Sequence, residues 1–174
     1  MTIRKILTEP DPLLRQKSVK VIEVNDEIRI LMDDMLETMY AAPGIGLAAI
    51  QVGVAKNVIV IDLSREDEKK NPLYFVNPEI ITNSDIKAAY EEGCLSVPGQ
   101  FAEINRSDKC RIKYLDYNGI EKILDAQGLL ATCIQHEMDH LEGILFIDYL
   151  SKLKKGMIVK KLSKQKKSLE RIVV

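Results

Sequence analysis

The chain has two histidines, His136 and His140, and they stand four residues apart in Gln135-His136-Glu137-Met138-Asp139-His140. On a strand these two side chains would lie roughly 13 Å apart, whereas on an α-helix they share one face a single turn apart. The spacing therefore calls for a helix here, expected from about Ala126 to Leu141 with Gly143 where a stop belongs. On that helix both imidazoles reach one metal ion and Glu137 projects beside them.

Such a pair is incomplete, because a catalytic site of this kind has three protein ligands and one open position. A third histidine ten residues after the first is excluded, since position 146 is Phe, and the downstream acid Glu170 is isolated in a basic tail. That leaves upstream acids and the three thiols, Cys94, Cys110 and Cys133, whose odd number and wide spacing do not read as a disulfide framework. Cys110 opens a strand-like run, and Cys133 lies one turn before Glu137 on the histidine helix. Cys94 sits in Glu92-Gly93-Cys94-Leu95-Ser96-Val97-Pro98-Gly99, a loop-like stretch whose Gly and Pro can expose a side chain. It is the favoured candidate of the three.

The rest of the chain frames this helix. Asn25 can cap an earlier helix whose first turn carries Asp26 and Glu27, and whose apolar stripe is Ile28, Leu31, Met32, Met35, Leu36 and Met39. Methionine at helical spacing serves as core filler. Pro43 and Gly44 end that helix. Strands are expected at 57–62, 73–77 and 86–90, with a hairpin of 111–116 and 120–124 turning at Asn118-Gly119 with positive φ values. Strands outnumber helices without βαβ alternation, so the expected class is α+β, with small antiparallel sheets around a central metal-bearing helix. Gly44-x-Gly46-x-x-Ala49 formally matches a dinucleotide fingerprint, but it follows a helix and Pro43 rather than a strand, and tight packing explains it better.

At 174 residues and 46% hydrophobic content, one domain with one substantial core is expected. Neither the opening MTIRKILTEPDPLL nor any apolar run resembles a targeting or membrane-spanning segment, so the expectation is a cytoplasmic protein without membrane contact. Charge is uneven: residues 151–174 carry nine Lys/Arg against Glu170, a net +8 on a body of −9. Met157, Leu162, Leu169 and Val173 are expected to give this tail scattered apolar contacts.

Three blocks stand in order: Gly44-Ile45-Gly46-Leu47-Ala48-Ala49-Ile50-Gln51, Glu92-Gly93-Cys94-Leu95-Ser96, and Gln135 to His140. With them the chain resembles the peptide deformylases, in the bacterial form with a C-terminal helix, over about residues 3–150. The resemblance implies a catalytic domain over 1–150 and, over 151–174, a basic helical extension of the same domain. It implies Cys94, His136 and His140 as ligands of one divalent ion, Fe(II) in the native state, with Ni, Co or Zn as replacements. Glu137 would be the acid/base, and the Gln51 amide and the Leu95 backbone N–H would stabilise the oxyanion. Gly44, Ile45 and Gly46 would border the substrate, and Ile45, Leu129, Thr132, Cys133 and His136 would form the methionine pocket. Phe101 stands where some relatives carry Arg, and Thr132 where many carry an aliphatic residue.

The implied substrates are N-formylmethionyl nascent peptides, and the implied docking partner of the basic helix is the ribosome near its exit tunnel. A monomer that binds no DNA is expected. Two other functions use the same residues: a zinc endopeptidase or aminopeptidase, and a metal-stabilised RNA-binding module that would exploit the tail.

Overall fold

The computed structural model describes residues 2–65 and 67–172, the last four of these as backbone only. Asn25 caps α1, Asp26–Ala41, its side chain accepting from the Ile28 N–H at 3.1 Å. Ile28, Leu31, Met32, Met35 and Met39 are buried, and Leu36 packs against them partly exposed. β1 (Gly46–Ala48), a short 3-10 turn of Ala49–Val52 that carries Gln51, and β2 (Val58–Ile61) follow. Then come β3 (Leu73–Asn83), β4 (Lys87–Cys94), β5 (Val97–Ser107), β6 (Lys109–Leu115) and β7 (Glu121–Gln127). α2 is Gly128–Leu141, and α3 is Lys152–Ile172.

Five strands make one antiparallel sheet in the order β1-β2-β3-β6-β7, and β4 pairs only with β5. The four residues of β2 are all buried because the sheet is covered on both faces: Val58 and Val60 meet α1, while Ile59 and Ile61 meet α2. This is the α+β architecture expected, with the histidine helix held between the large sheet and the β4–β5 hairpin.

Four local expectations change. α2 begins at Gly128 rather than near Ala126, because Ala126 and Gln127 remain paired with Cys110 and Lys109 in β7, and Gly128 at φ 60° turns directly into the helix. Cys94 is no loop residue but the last of β4, opposite Val97, with a register shift between Gly93 and Cys94. At the β6–β7 turn only Gly119 takes positive φ, at 78°. The Asp116 carboxylate accepts from the backbone of Asn118 and Ile120, so a side chain organises this turn instead of a mirror-image pair.

The fourth change concerns the tail. Met157 is exposed, and Leu162 carries the packing, buried among Val97, Leu145, Phe146 and Ile147 with Ile158 and Val159 beside it. The side chains of Leu169 and Val173 lie outside the described residues. Lys155 also reaches Asp148 at 2.6 Å, which Arg15 holds from the other side at 2.6 Å. No helix among the described residues is long and apolar enough to cross a membrane.

Candidate metal centre

α2 and the β4–β5 hairpin bring together the residues singled out in the sequence. The ligand-capable atoms of Cys94, His136 and His140 all lie within 4.8 Å of one another, and Cys94 Sγ is 3.3 Å from His140 Nε2. Metal–ligand bonds of about 2.0–2.3 Å in a tetrahedron separate ligand atoms by roughly 3.5 Å, so a thiolate with two imidazoles fits one ion. Cys110 and Cys133 are buried in the sheet–α2 core and are not part of this set.

Burial pushes the His140 imidazole well below its ordinary range, with the neighbouring His136 adding to the effect. The His136 Nδ1–H donates to the Glu92 carboxylate at 2.8 Å, which leaves Nε2 for an ion. Burial alone would raise the Glu92 carboxyl, but hydrogen bonds with His136 and Arg106 hold it below its usual value.

Glu137 is buried, and its Oε2 has no hydrogen-bond partner. Burial pushes its carboxyl up to about 7, helped by the charge of Glu92 and opposed by His136. A carboxyl poised there exchanges protons readily near neutral pH. Gln51 is buried with its side-chain oxygen pinned by the Ala48 N–H at 2.8 Å, and its Nε2 lies 3.0 Å from Ser96 Oγ and 3.6 Å from Cys94 Sγ. The amide thus presents N–H groups to the same space as the thiol.

A cavity of about 470 Å³ opens in front of this cluster. Gly44, Ile45, Gly46, Leu129, Thr132 and Cys133 line it with His136, Glu137, Gln51, Cys94 and Leu95, so every residue proposed from the sequence except His140 meets the cavity. His140 stands behind the thiol. The Thr132 hydroxyl is buried without a partner. Tyr90 and Glu91 also line the cavity and were not anticipated, because Tyr90 reads as the end of the 86–90 strand and Glu91 as part of the loop-like run before Cys94. Phe101 is exposed at the rim, its ring against Gly93.

Gly46 has a specific steric reason. A Cβ there would collide with Glu137 Oε1 and come within 3.1 Å of Cys133 Sγ. Gly46→Ala (G46A) is therefore expected to displace the Glu137 carboxylate and lower kcat by on the order of 10²-fold with metal content retained. Steady-state kinetics with elemental analysis of the same sample checks this; a normal kcat would show that Glu137 has more room than its contacts indicate.

An α+β body with a helix-borne His-Glu-x-x-His element and a thiol within reach of both imidazoles defines a metal-dependent hydrolase. The family model for polypeptide deformylase matches residues 3–156. The peptide deformylase of Pelagibacter ubique is 67% identical over 174 residues, covering 100% of both chains, and that of Phenylobacterium zucineum is 61% identical over 97% of this chain and 99% of its own. The crystal structure of peptide deformylase from Ehrlichia chaffeensis in complex with actinonin has a TM-score of 0.91 at 46% identity, covering 95% of this chain and 98% of that one. The chain belongs to the polypeptide deformylase family. It is a metal-dependent hydrolase that removes the N-formyl group from nascent polypeptides.

Proposed function

We propose that Cys94, His136 and His140 hold the single divalent ion of this reaction, that Glu137 moves the proton, and that Gln51 with the Leu95 backbone N–H receives the developing negative charge. The observation that carries this reading is the convergence of one thiol and two imidazoles beside a buried carboxylate with no partner of its own. A bound ion supplies Lewis acidity, lowering the pKa of water and polarising a carbonyl. Glu137 accepts a proton from the attacking water and returns it to the departing amine nitrogen. The Gln51 amide, immobilised by Ala48 and Ser96, can give the oxyanion the Nε2–H that otherwise makes a long contact to Cys94 Sγ.

Ile45, Leu129, Thr132 and Cys133 line the cavity together with Gly44 and Gly46. That arrangement favours formylmethionyl ends, whose unbranched side chain enters a narrow apolar slot. Parallel assays on formyl-Met-Ala-Ser, free Met-Ala-Ser and an internally quenched peptide test it. Formate release from the first alone is expected, and amine release only from the other two would make the chain a peptidase.

Thiolate and imidazole donors suit both iron and zinc. Fe(II) is the ion we propose, with Ni, Co or Zn able to replace it. Activity of an anaerobic preparation that decays in air with loss of iron would support this, and unchanged activity in air would not.

Residues 1–150 are proposed as the catalytic part and 151–174 as a basic extension of the same domain, acting in a cytoplasmic monomer. Lys160, Lys161 and Lys164 are exposed, while Leu162 faces the body, so the helix can offer charge outward without losing its packing. A ribosome near the exit tunnel is the proposed polyanion. Because removal of 153–174 would also uncover the Leu162 cluster, charge reversal at Lys160, Lys161 and Lys164 is the cleaner test. Ribosome affinity should fall and lose its salt dependence, with short-peptide hydrolysis unchanged. Equal affinity for both proteins would remove the docking role.

A further inference from the structure

Behind His136 lies a polar cluster that the reaction as described does not use. Both oxygens of Glu92 are taken by the Arg106 guanidinium, Nε to Oε1 at 2.5 Å and a terminal nitrogen to Oε2 at 3.0 Å, and Oε2 also meets His136 Nδ1 at 2.8 Å. The other terminal nitrogen of Arg106 donates to Asp139 Oδ2 at 2.8 Å. Tyr149 donates its hydroxyl to the same Asp139 oxygen at 2.8 Å, and its ring lies 5.2 Å from the guanidinium carbon. The side chains of Arg106 and Glu92 are 5% and 4% exposed. Four elements thus meet on one buried cation: β4, β5, α2 and the turn before α3.

We propose that Arg106, backed by Asp139 and Tyr149, is a positioning residue for the metal centre: it fixes the Glu92 carboxylate on His136 Nδ1 and so sets the orientation and donor strength of that ligand. The inference rests on His136 being a ligand. A carboxylate on the outer nitrogen of a ligating imidazole fixes its tautomer and makes it a stronger donor. Here the carboxylate is itself clamped by a planar fork, which fixes its plane as a lysine could not. Two carboxylates against one guanidinium leave the cluster with a net negative charge, and that charge faces the ion through His136. Asp139 controls the balance. Without its charge, the whole guanidinium cation would bear on Glu92 and weaken its pull on the imidazole proton.

The variants are Asp139→Asn, Tyr149→Phe and Arg106→Lys in the full chain. The readouts are Co(II) and Zn(II) affinity by chelator competition, the visible spectrum of the Co(II) protein, and Tm. The first two variants keep the Arg106–Glu92 pair and carry the test even if the third folds poorly. D139N is expected to loosen metal binding about 10–100-fold and shift the Co(II) bands. R106K should not restore either property although it keeps the charge, and Y149F should fall between D139N and the parent chain. Unchanged affinity and spectrum in D139N and Y149F, with only Tm lowered, would overturn the proposal and leave a structural ion cluster. These readouts need no turnover, so they stand or fall separately from the substrate assignment.

Discussion

Glu137→Gln (E137Q) is expected to lower kcat for formyl-Met-Ala-Ser by about 10²–10⁴-fold while the metal stays in place. The argument is one of unused capacity. Glu137 is buried beside the three proposed ligands with Oε2 unpartnered, and burial holds its carboxyl where it can both take and release a proton near neutral pH. Glutamine preserves size and part of the hydrogen bonding but cannot carry the proton. Among the other carboxylates near the site, Glu92 is the one on His136, and both of its oxygens are occupied by Arg106 and His136. It is therefore poorly placed to substitute. Near-normal kcat in E137Q at full metal occupancy would show that another group moves the proton.

The second large effect belongs to the thiols. Cys94→Ala (C94A) should abolish stoichiometric metal binding, whereas Cys110→Ala and Cys133→Ala should retain it under identical loading. A site left with two imidazoles loses its anionic ligand, and His140 cannot offset the loss through its outer nitrogen, since Nδ1 is buried without a hydrogen-bond partner among the described residues. Cys110 packs in the core behind the sheet, so its loss should read mainly as lowered Tm. Cys133 lines the cavity, so its removal should alter KM for formylmethionyl peptides more than metal content. A fully occupied C94A site, measured by elemental analysis, would mean the third ligand is elsewhere.

The histidine helix was legible because a metal pair at i and i+4 and an apolar stripe make the same demand on the backbone. α1 was legible for a similar reason, with cap, acidic first turn and period all agreeing. β5 was not. Its burial alternates from Gln100 to Arg106, but the strand opens on Pro98-Gly99 and its inward positions include the polar Gln100 and Arg106, so no apolar period marks it in the sequence. Cys94 consequently looked like a loop residue, and its role as third ligand came from the resemblance, not from local pattern. Arg106 gave no signal either, since an arginine in a charged strand looks solvent-facing until its two carboxylate partners, 14 and 33 residues away, are seen to converge. Such long-range ion pairs leave no period in a sequence.

The proposed ligands come from two pieces of chain, Cys94 from the β4–β5 hairpin and the histidines from α2, with 46 residues separating the thiol from His140. An ion held by both acts as a removable cross-link. It closes a long loop when bound and releases it when stripped. The hairpin shares no strand pairing with the five-stranded sheet, so its amides are expected to exchange with solvent through a local opening that the ion suppresses and global unfolding does not limit. Ion occupancy, through its mass-action contribution of about 2.7 kcal/mol at a free concentration one hundred times Kd, then sets how often the hairpin swings away from α2. Stripping the ion is therefore expected to lower the exchange protection of this hairpin more than that of the five-stranded sheet.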